Sequence, residues 1–200
     1  MKRRLLLGAA LGLPFGPARA GAQREEDLSD AVRSVLSAAI AADAPPHPEF
    51  AGTAQRMAYL RWLTAMSERL QPRKAERRTR VEFLQTLWYE SRRAGLETDL
   101  VLGLVQVESN FRKYAVSSAG ARGYMQVMPF WARLIGDGDA SRLFHMQTNL
   151  RFGCVILRHY LEREDGDLFM ALGRYNGSRG RPEYPNMVFG ARRQWAMPDA

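Results

Sequence analysis

Apolar residues recur at intervals of three and four along most of the chain, and the strict alternation that marks strands is nearly absent. Leu28, Val32, Val35, Leu36 and Ala39 predict an amphipathic helix over 25–42. The stretch "DAPPHPE" cannot continue it, because closely spaced prolines remove backbone donors and clash with the preceding turn. It reads as a linker between an N-terminal arm and the body. From Phe50 to Leu70, Met57, Leu60, Leu63, Met66 and Leu70 predict the buried side of a second helix that Pro72 stops. A highly charged helix from Arg73 to Ala94 is expected to bury Val81, Leu84, Leu87 and Trp88 and to turn at Gly95. Further helices are expected over 99–111, 149–161, 167–175 and 188–195, so the body is mainly α with little or no β structure.

The first residues read as an address. Lys2, Arg3 and Arg4 precede an apolar run from Leu5 to Phe15, and Ala18-Arg19-Ala20 offers the small residues of a cleavage site, so 1–20 is expected to be a cleaved signal peptide and the location the periplasm. That run is shorter than the roughly 20 residues that span a bilayer, so stable membrane insertion is not expected. The chain carries 29 basic and 21 acidic residues, a net charge of +8. Loss of the address removes four basic residues, and the remaining excess argues against nucleic acid while still suiting an anionic polymer or surface. The basic cluster "RKAERRTR" from Arg73 reads as a solvated helix face. Cys154 is the single cysteine, so no internal disulfide can form; in "FGCVILRHYL" it reads as a buried, inert thiol.

Glu108 is the acid that does not fit its helix. Val105 and Val101 lie one and two turns below it on the same side, so its surroundings are apolar and its pKa is expected to rise, as a proton donor near neutral pH requires. Arg112, four residues on, could instead make it half of an ordinary helix ion pair worth about 0.3–0.5 kcal/mol. Downstream, "SSAGARGYMQVMP" sets Gly120 and Gly123 three apart, which permits a tight backbone path close to a ligand. Met125 and Gln126 then offer a soft apolar surface and an amide that both donates and accepts, a mixture that suits a sugar ring. In "LGRYNGS", Tyr175 and Asn176 end a helix before Gly177.

Taken together, "ES" at 108–109, "GARGYMQVMP" from Gly120 to Pro129 and "YNG" at 175–177 resemble the soluble lytic murein transglycosylase (SLT) family. The resemblance covers 96–178 firmly and extends loosely over 50–200. It implies a lysozyme-like, goose-type catalytic domain, here with an N-terminal helical extension at 21–49. It also implies cleavage of the MurNAc-GlcNAc β-1,4 bond of peptidoglycan glycan strands with formation of 1,6-anhydroMurNAc ends, and no metal or other cofactor. By motif position Glu108 is the catalytic acid and then base; Ser109, Met125, Gln126, Tyr175 and Asn176 bind substrate or hold the acid. Tyr124, Phe130-Trp131, Arg174 and Ser178 depart from the usual family pattern, which bears on the shape of the groove.

Two other functions remain open at this point. A muramidase-type hydrolase could draw a second carboxylate from Asp137 or Asp139 in "GDGDAS", although flanking glycines make these turn residues, and Thr148 excludes a calcium loop because it stands where the bidentate glutamate belongs. A non-catalytic peptidoglycan-binding factor of an envelope-spanning secretion or pilus machine would use the basic helix and the arm.

Overall fold

The computed structural model describes residues 23–41 and 49–197. The proposed address and most of the Pro-rich stretch lie outside the described residues. Eight α-helices follow in order: α1 (Asp30–Ala41), α2 (Thr53–Leu70), α3 (Arg77–Arg93), α4 (Thr98–Ser109), α5 (Pro129–Ile135), α6 (Met146–Arg163), α7 (Leu168–Asn176) and α8 (Glu183–Trp195). A single 3-10 turn spans Ala140–Phe144. Among the described residues there is no strand; two isolated antiparallel bridges, Val116 with Arg122 and Arg122 with Val127, pin the loop between α4 and α5.

Two helices form the centre. Leu100 to Val105 of α4 and Asn149 to Leu157 of α6 are buried without interruption, the pattern of helices enclosed on all sides. Helix α4 packs most extensively on α8, while α6 packs on α3 and α7. Gly103 makes the first contact possible: a Cβ there would lie 2.7 Å from the Arg192 backbone nitrogen. Trp195 and Gln106 (2.8 Å) and Arg192 and Asp99 (2.9 Å) fix the register of the two helices by hydrogen bonds.

The chain's punctuation follows its capping chemistry. Glu76 accepts from the Arg78 and Thr79 backbone N–H groups at the start of α3, and Asp167 accepts from Met170 at the start of α7. Gly95 and Gly177 adopt left-handed conformations at the ends of α3 and α7.

Several sequence expectations shift. Helix α1 starts at Asp30 rather than 25, and Val35 is 69% exposed, while Leu28 and Leu36 enter the core. On α2 the buried line is Tyr59, Met66 and Leu70, while Met57 and Leu60 face solvent; α3 is the element this helix packs on most. Helix α3 buries Phe83 as well as Leu84 and Leu87, and Val81 and Trp88 are only half-buried. The basic cluster is a solvated face only in part: Arg73, Arg77 and Arg78 are exposed, while Lys74 and Arg80 turn inward. Arg80 is buried and donates to Ser67 and to the Lys74 and Ala75 carbonyls, and Lys74 donates to the Tyr124 hydroxyl (2.9 Å), so the cluster builds the α2–α3 junction. Helix α8 begins at Glu183, five residues before the expected start, because Pro182 and Pro185 sit at its N-cap and in its first turn, where a missing N–H costs nothing.

The N-terminal arm is part of the body. Helix α1 packs on α5 and α6. The segment before it is tied down by a Trp131 indole donating to Gln23 (3.0 Å) and by Glu26 paired with Arg174 (2.8 Å) and Arg163 (2.5 Å).

Candidate active site

Glu108 occupies the last turn of α4 and is 4% exposed. Burial pushes its carboxyl up to about 8, opposed in part by the hydrogen bond that the Tyr184 hydroxyl donates to Oε1. Oε2 is buried and has no hydrogen-bond partner. The buried acid is therefore neutral around neutral pH, with Oε1 held and Oε2 free to carry a proton. Arg112 does not pair with it; its guanidinium donates to the Ser109 carbonyl at 3.0 Å, so the ordinary helix ion pair is absent.

The chain reverses directly after this acid. Asn110 and Phe111 both take positive φ, 48° and 63°, an uncommon conformation for an aromatic residue. Side chains hold it: Arg73 donates to the Asn110 side chain (3.0 Å) and lies over the rings of Phe111 and Trp195, while Phe111 packs edge-on against Phe83 and Trp195.

The loop that follows is clamped rather than open. Asn149, fully buried in α6, accepts from the Met125 N–H and donates to the carbonyls of Arg122 and Leu143, each at 2.8 Å. Gly123, at φ 76°, passes so close to this amide that a Cβ would lie 2.4 Å from it. Gln126, also at positive φ, donates to the Ala115 and Gly123 carbonyls.

These contacts relocate most of the residues expected to touch substrate. Ser109 is buried and donates to the Tyr124 carbonyl at 2.7 Å, tying the acid's helix to the loop. The Met125 side chain is fully buried against Gly153, so it packs the core instead of presenting a surface to a sugar. Tyr175 is fully buried and donates to the Met125 carbonyl at 2.8 Å; the acid is held instead by Tyr184, which the sequence reading missed. The last helix was expected only from 188, which leaves Tyr184 outside it, and no spacing rule connects it to Glu108. Asn176 is half-buried; it donates to the Ser178 hydroxyl (3.0 Å), and its carbonyl oxygen is buried without a partner.

The remaining titratable candidates are spent locally. Asp139 accepts from the Ser141 backbone and hydroxyl, and Asp137 pairs with Arg142; hydrogen bonds to these partners hold both carboxyls below their usual range, as turn residues. Cys154 is fully buried and its thiol is pushed well up by that burial, consistent with an inert core residue. Among the described residues no group of three or more His, Cys, Asp and Glu side chains could hold a metal ion, and no helix is long and apolar enough to cross a membrane.

A solved structure of an inactive mutant of lytic transglycosylase Slt from Pseudomonas aeruginosa is similar over 70% of this chain and 27% of that one, with 21% identity and a TM-score of 0.45. A protein described as a transglycosylase from Enterobacteria phage PRD1 is 32% identical over 104 residues, covering 52% of this chain and 38% of the phage protein. Membrane-bound lytic murein transglycosylase C of Actinobacillus pleuropneumoniae is 34% identical over 114 residues, 50% of this chain and 31% of that protein. The protein of the same description from Mannheimia succiniciproducens is 45% identical over 84 residues, 38% and 24% of the two chains. The chain thus spans well under half the length of these relatives. The family model described as Transglycosylase SLT domain matches residues 87–195, from the last turns of α3 through the whole of α8, and by this match the chain belongs to the transglycosylase SLT domain family.

Proposed function

We propose that this protein is a peptidoglycan lytic transglycosylase of the bacterial envelope, cleaving the MurNAc-GlcNAc β-1,4 bond and leaving 1,6-anhydroMurNAc ends. The observation that carries the reading is Glu108: a buried carboxyl pushed up to about 8, fixed by Tyr184 through one oxygen and unpartnered at the other. Within a family named for this reaction, such a group has the protonation state and the free oxygen that a general acid needs.

In the proposed sequence, Oε2 donates its proton to the glycosidic oxygen as the C1–O4 bond breaks and the electron pair leaves with O4. The carbonyl oxygen of the substrate's own N-acetyl group bonds to C1 and holds the positive charge, so no enzyme nucleophile is needed. Glu108, now a carboxylate, removes the proton from the C6 hydroxyl as O6 displaces the acetamido oxygen from C1. The acid is regenerated and no water enters. Tyr184 stabilises the carboxylate between the two halves by its hydrogen bond. Asn176 is the amide we assign to the sugar, because its carbonyl oxygen lacks a partner. Ser109, Met125, Gln126 and Tyr175 would act by shaping the loop from within.

Hydrolysis would use an activated water and a second carboxylate. Asp137 and Asp139, the carboxylates first considered for that role, are committed to their own turn. The test is the mass of products released from purified sacculi by the exported protein. Anhydro ends support the proposal; ends heavier by one water support a hydrolase. Absence of any product supports a wall-binding factor serving secretion or pilus machinery in the periplasm.

A further inference from the structure

At the opposite end of α4 from Glu108 lies a cavity of about 240 Å³, between α2, α3 and the start of α4. Thr98 on its rim and Glu108 are separated by ten residues of helix, about 15 Å at the rise of an α-helix. Its walls are Tyr59, Trp62 and Trp88, and its rim carries Gln55, Arg92, Glu97 and Thr98.

These aromatic residues form a satellite cluster beside the main core. Tyr59 meets Trp88 edge-on at 4.9 Å and Trp62 nearly parallel at 6.2 Å, and Phe50 closes the group at 5.1 Å from Tyr59. Trp62 and Trp88 are each half-buried, so part of each indole faces outward. Tyr59 is 6% exposed, yet its hydroxyl has no hydrogen-bond partner; Gln85 lies beside it outside bonding geometry. A buried hydroxyl left unpaired is costly, and a ligand's polar atom would relieve it.

The chemistry of the walls and rim selects the occupant. Indole faces suit the apolar face of a pyranose ring, and the rim supplies both donors and acceptors for its hydroxyl and acetamido edge. Arg92, stacked over Trp88 at 5.9 Å, and Glu97 oppose each other in charge, so the rim favours neither an anion nor a cation. The volume falls below the roughly 300–1,000 Å³ of sites for larger ligands and fits a single ring. We propose that this cavity is an ancillary binding site for one N-acetylhexosamine ring of a glycan strand, holding the polymer at a point remote from Glu108. The proposal rests on the glycan-cleaving reading above. A second contact of this kind raises retention on a polymer through effective concentration and adds little on a fragment too short to reach both sites.

The test titrates chitotetraose, a β-1,4-linked tetramer of N-acetylglucosamine, into isotope-labelled Glu108→Gln protein and follows the indole N–H resonances. The chain has four tryptophans, and single Trp→Phe variants assign them. Trp62 and Trp88 should shift saturably while Trp131, buried on the arm side, stays still. Trp62→Ala, and separately the rim variant Gln55→Ala/Thr98→Ala, should each reduce co-sedimentation with sacculi about fivefold, with release from short soluble glycan fragments changed by less than about twofold. The rim pair leaves the aromatic packing intact and so separates binding from folding. Immobile Trp62 and Trp88 signals would overturn the ancillary site, while the catalytic reading is tested separately by the masses of the products released from sacculi and stands if anhydro ends appear.

Discussion

Glu108 sits where two opposed demands meet, since burial favours its neutral form and Tyr184 favours its charged one. Burial is the larger effect, and its sign sets a stability prediction. The folded pKa of about 8 lies above the ordinary glutamate value of about 4.3, so the acid is accommodated without cost below that value. As pH rises from there to 8, the unfolded chain ionises while the folded chain must keep its proton, and stability is progressively lost. Glu108→Gln removes this cost. It should raise the melting temperature at pH 8, by about 2–4 kcal/mol in stability, with the gain vanishing near pH 4. A thermal melt series across pH would read this directly, and the same variant should lose activity by about a hundredfold or more. Tyr184→Phe should behave differently. Loss of a hydrogen bond to a charged group lowers the rate by about 10- to 100-fold and moves the alkaline limb of the kcat/KM profile upward, because the bond had been lowering the acid's pKa. A profile whose alkaline limb stays in place or moves down would separate Tyr184 from the acid. The apolar setting of Glu108 was legible from Val101 and Val105 at helical spacings beneath it, but the choice of this acid over an ion pair with Arg112 rested on the loop motif and on Tyr175-Asn176 further along. Tyr184 was not, since the contact joins residues 76 positions apart on different helices.

Among elements, the α4–α8 contact positions the acid, because α4 carries Glu108 and α8 carries Tyr184. Gly103 is a point of close approach between them, with the Arg192 backbone 2.7–2.8 Å from where a Cβ would be. Gly103→Ala gains about 1 kcal/mol of helix propensity. It also forces two backbones apart, an overpacking cost of about 1–3 kcal/mol or more that no side-chain rotation relieves, so the cost wins. The variant should melt lower and lose activity together, since any displacement of α8 draws Tyr184 off Glu108. A stable Gly103→Ala protein with unchanged rates would show that the register of these helices does not control the site. Periodicity located most helices but misjudged faces on α1 and α2. An apolar residue is buried only where a partner element covers it, and the sequence pattern alone does not say that the N-terminal half of α2 is left largely uncovered, as Met57 and Leu60 are. The loop motif was recognised, but Met125 within it and Ser109 at the end of α4 were assigned to substrate when both point inward. Their partners, Gly153 and the Tyr124 carbonyl, are set by tertiary packing and not by local spacing.

At the scale of the whole molecule, three positions that depart from the usual family pattern share one explanation. Trp131 pairs with Gln23, Arg174 with Glu26, and Tyr124 with Lys74, each partner lying upstream of the family match at 87–195. The first two pairs join the arm to the body and the third ties the α2–α3 junction to the loop; removing residues through Ala41 should strip Leu28 and Leu36 from the core and leave Arg174 with Glu164 as its remaining ion-pair partner. That truncation should melt well below the full chain in differential scanning calorimetry; an unchanged melting temperature would return the arm to the status of a separate extension. Glu164 reports on the same cluster. Arg179 first, then Arg174, hold it down to about 2, so its contribution is present above the ordinary glutamate pKa and lost as pH falls through 2. Glu164→Gln should therefore destabilise at pH 7 and match the parent near pH 2. The mainly α class was legible from periodicity, whereas the seating of the arm was not, because a Pro-rich stretch reads as a linker whether or not the helix before it docks. The measurement that bears most directly on the central claim is mass spectrometry of the soluble products from purified sacculi, run in parallel with Glu108→Gln. The account predicts muropeptides ending in 1,6-anhydroMurNAc from the parent and none from the variant; products carrying an added water, or undiminished release by the variant, would contradict it.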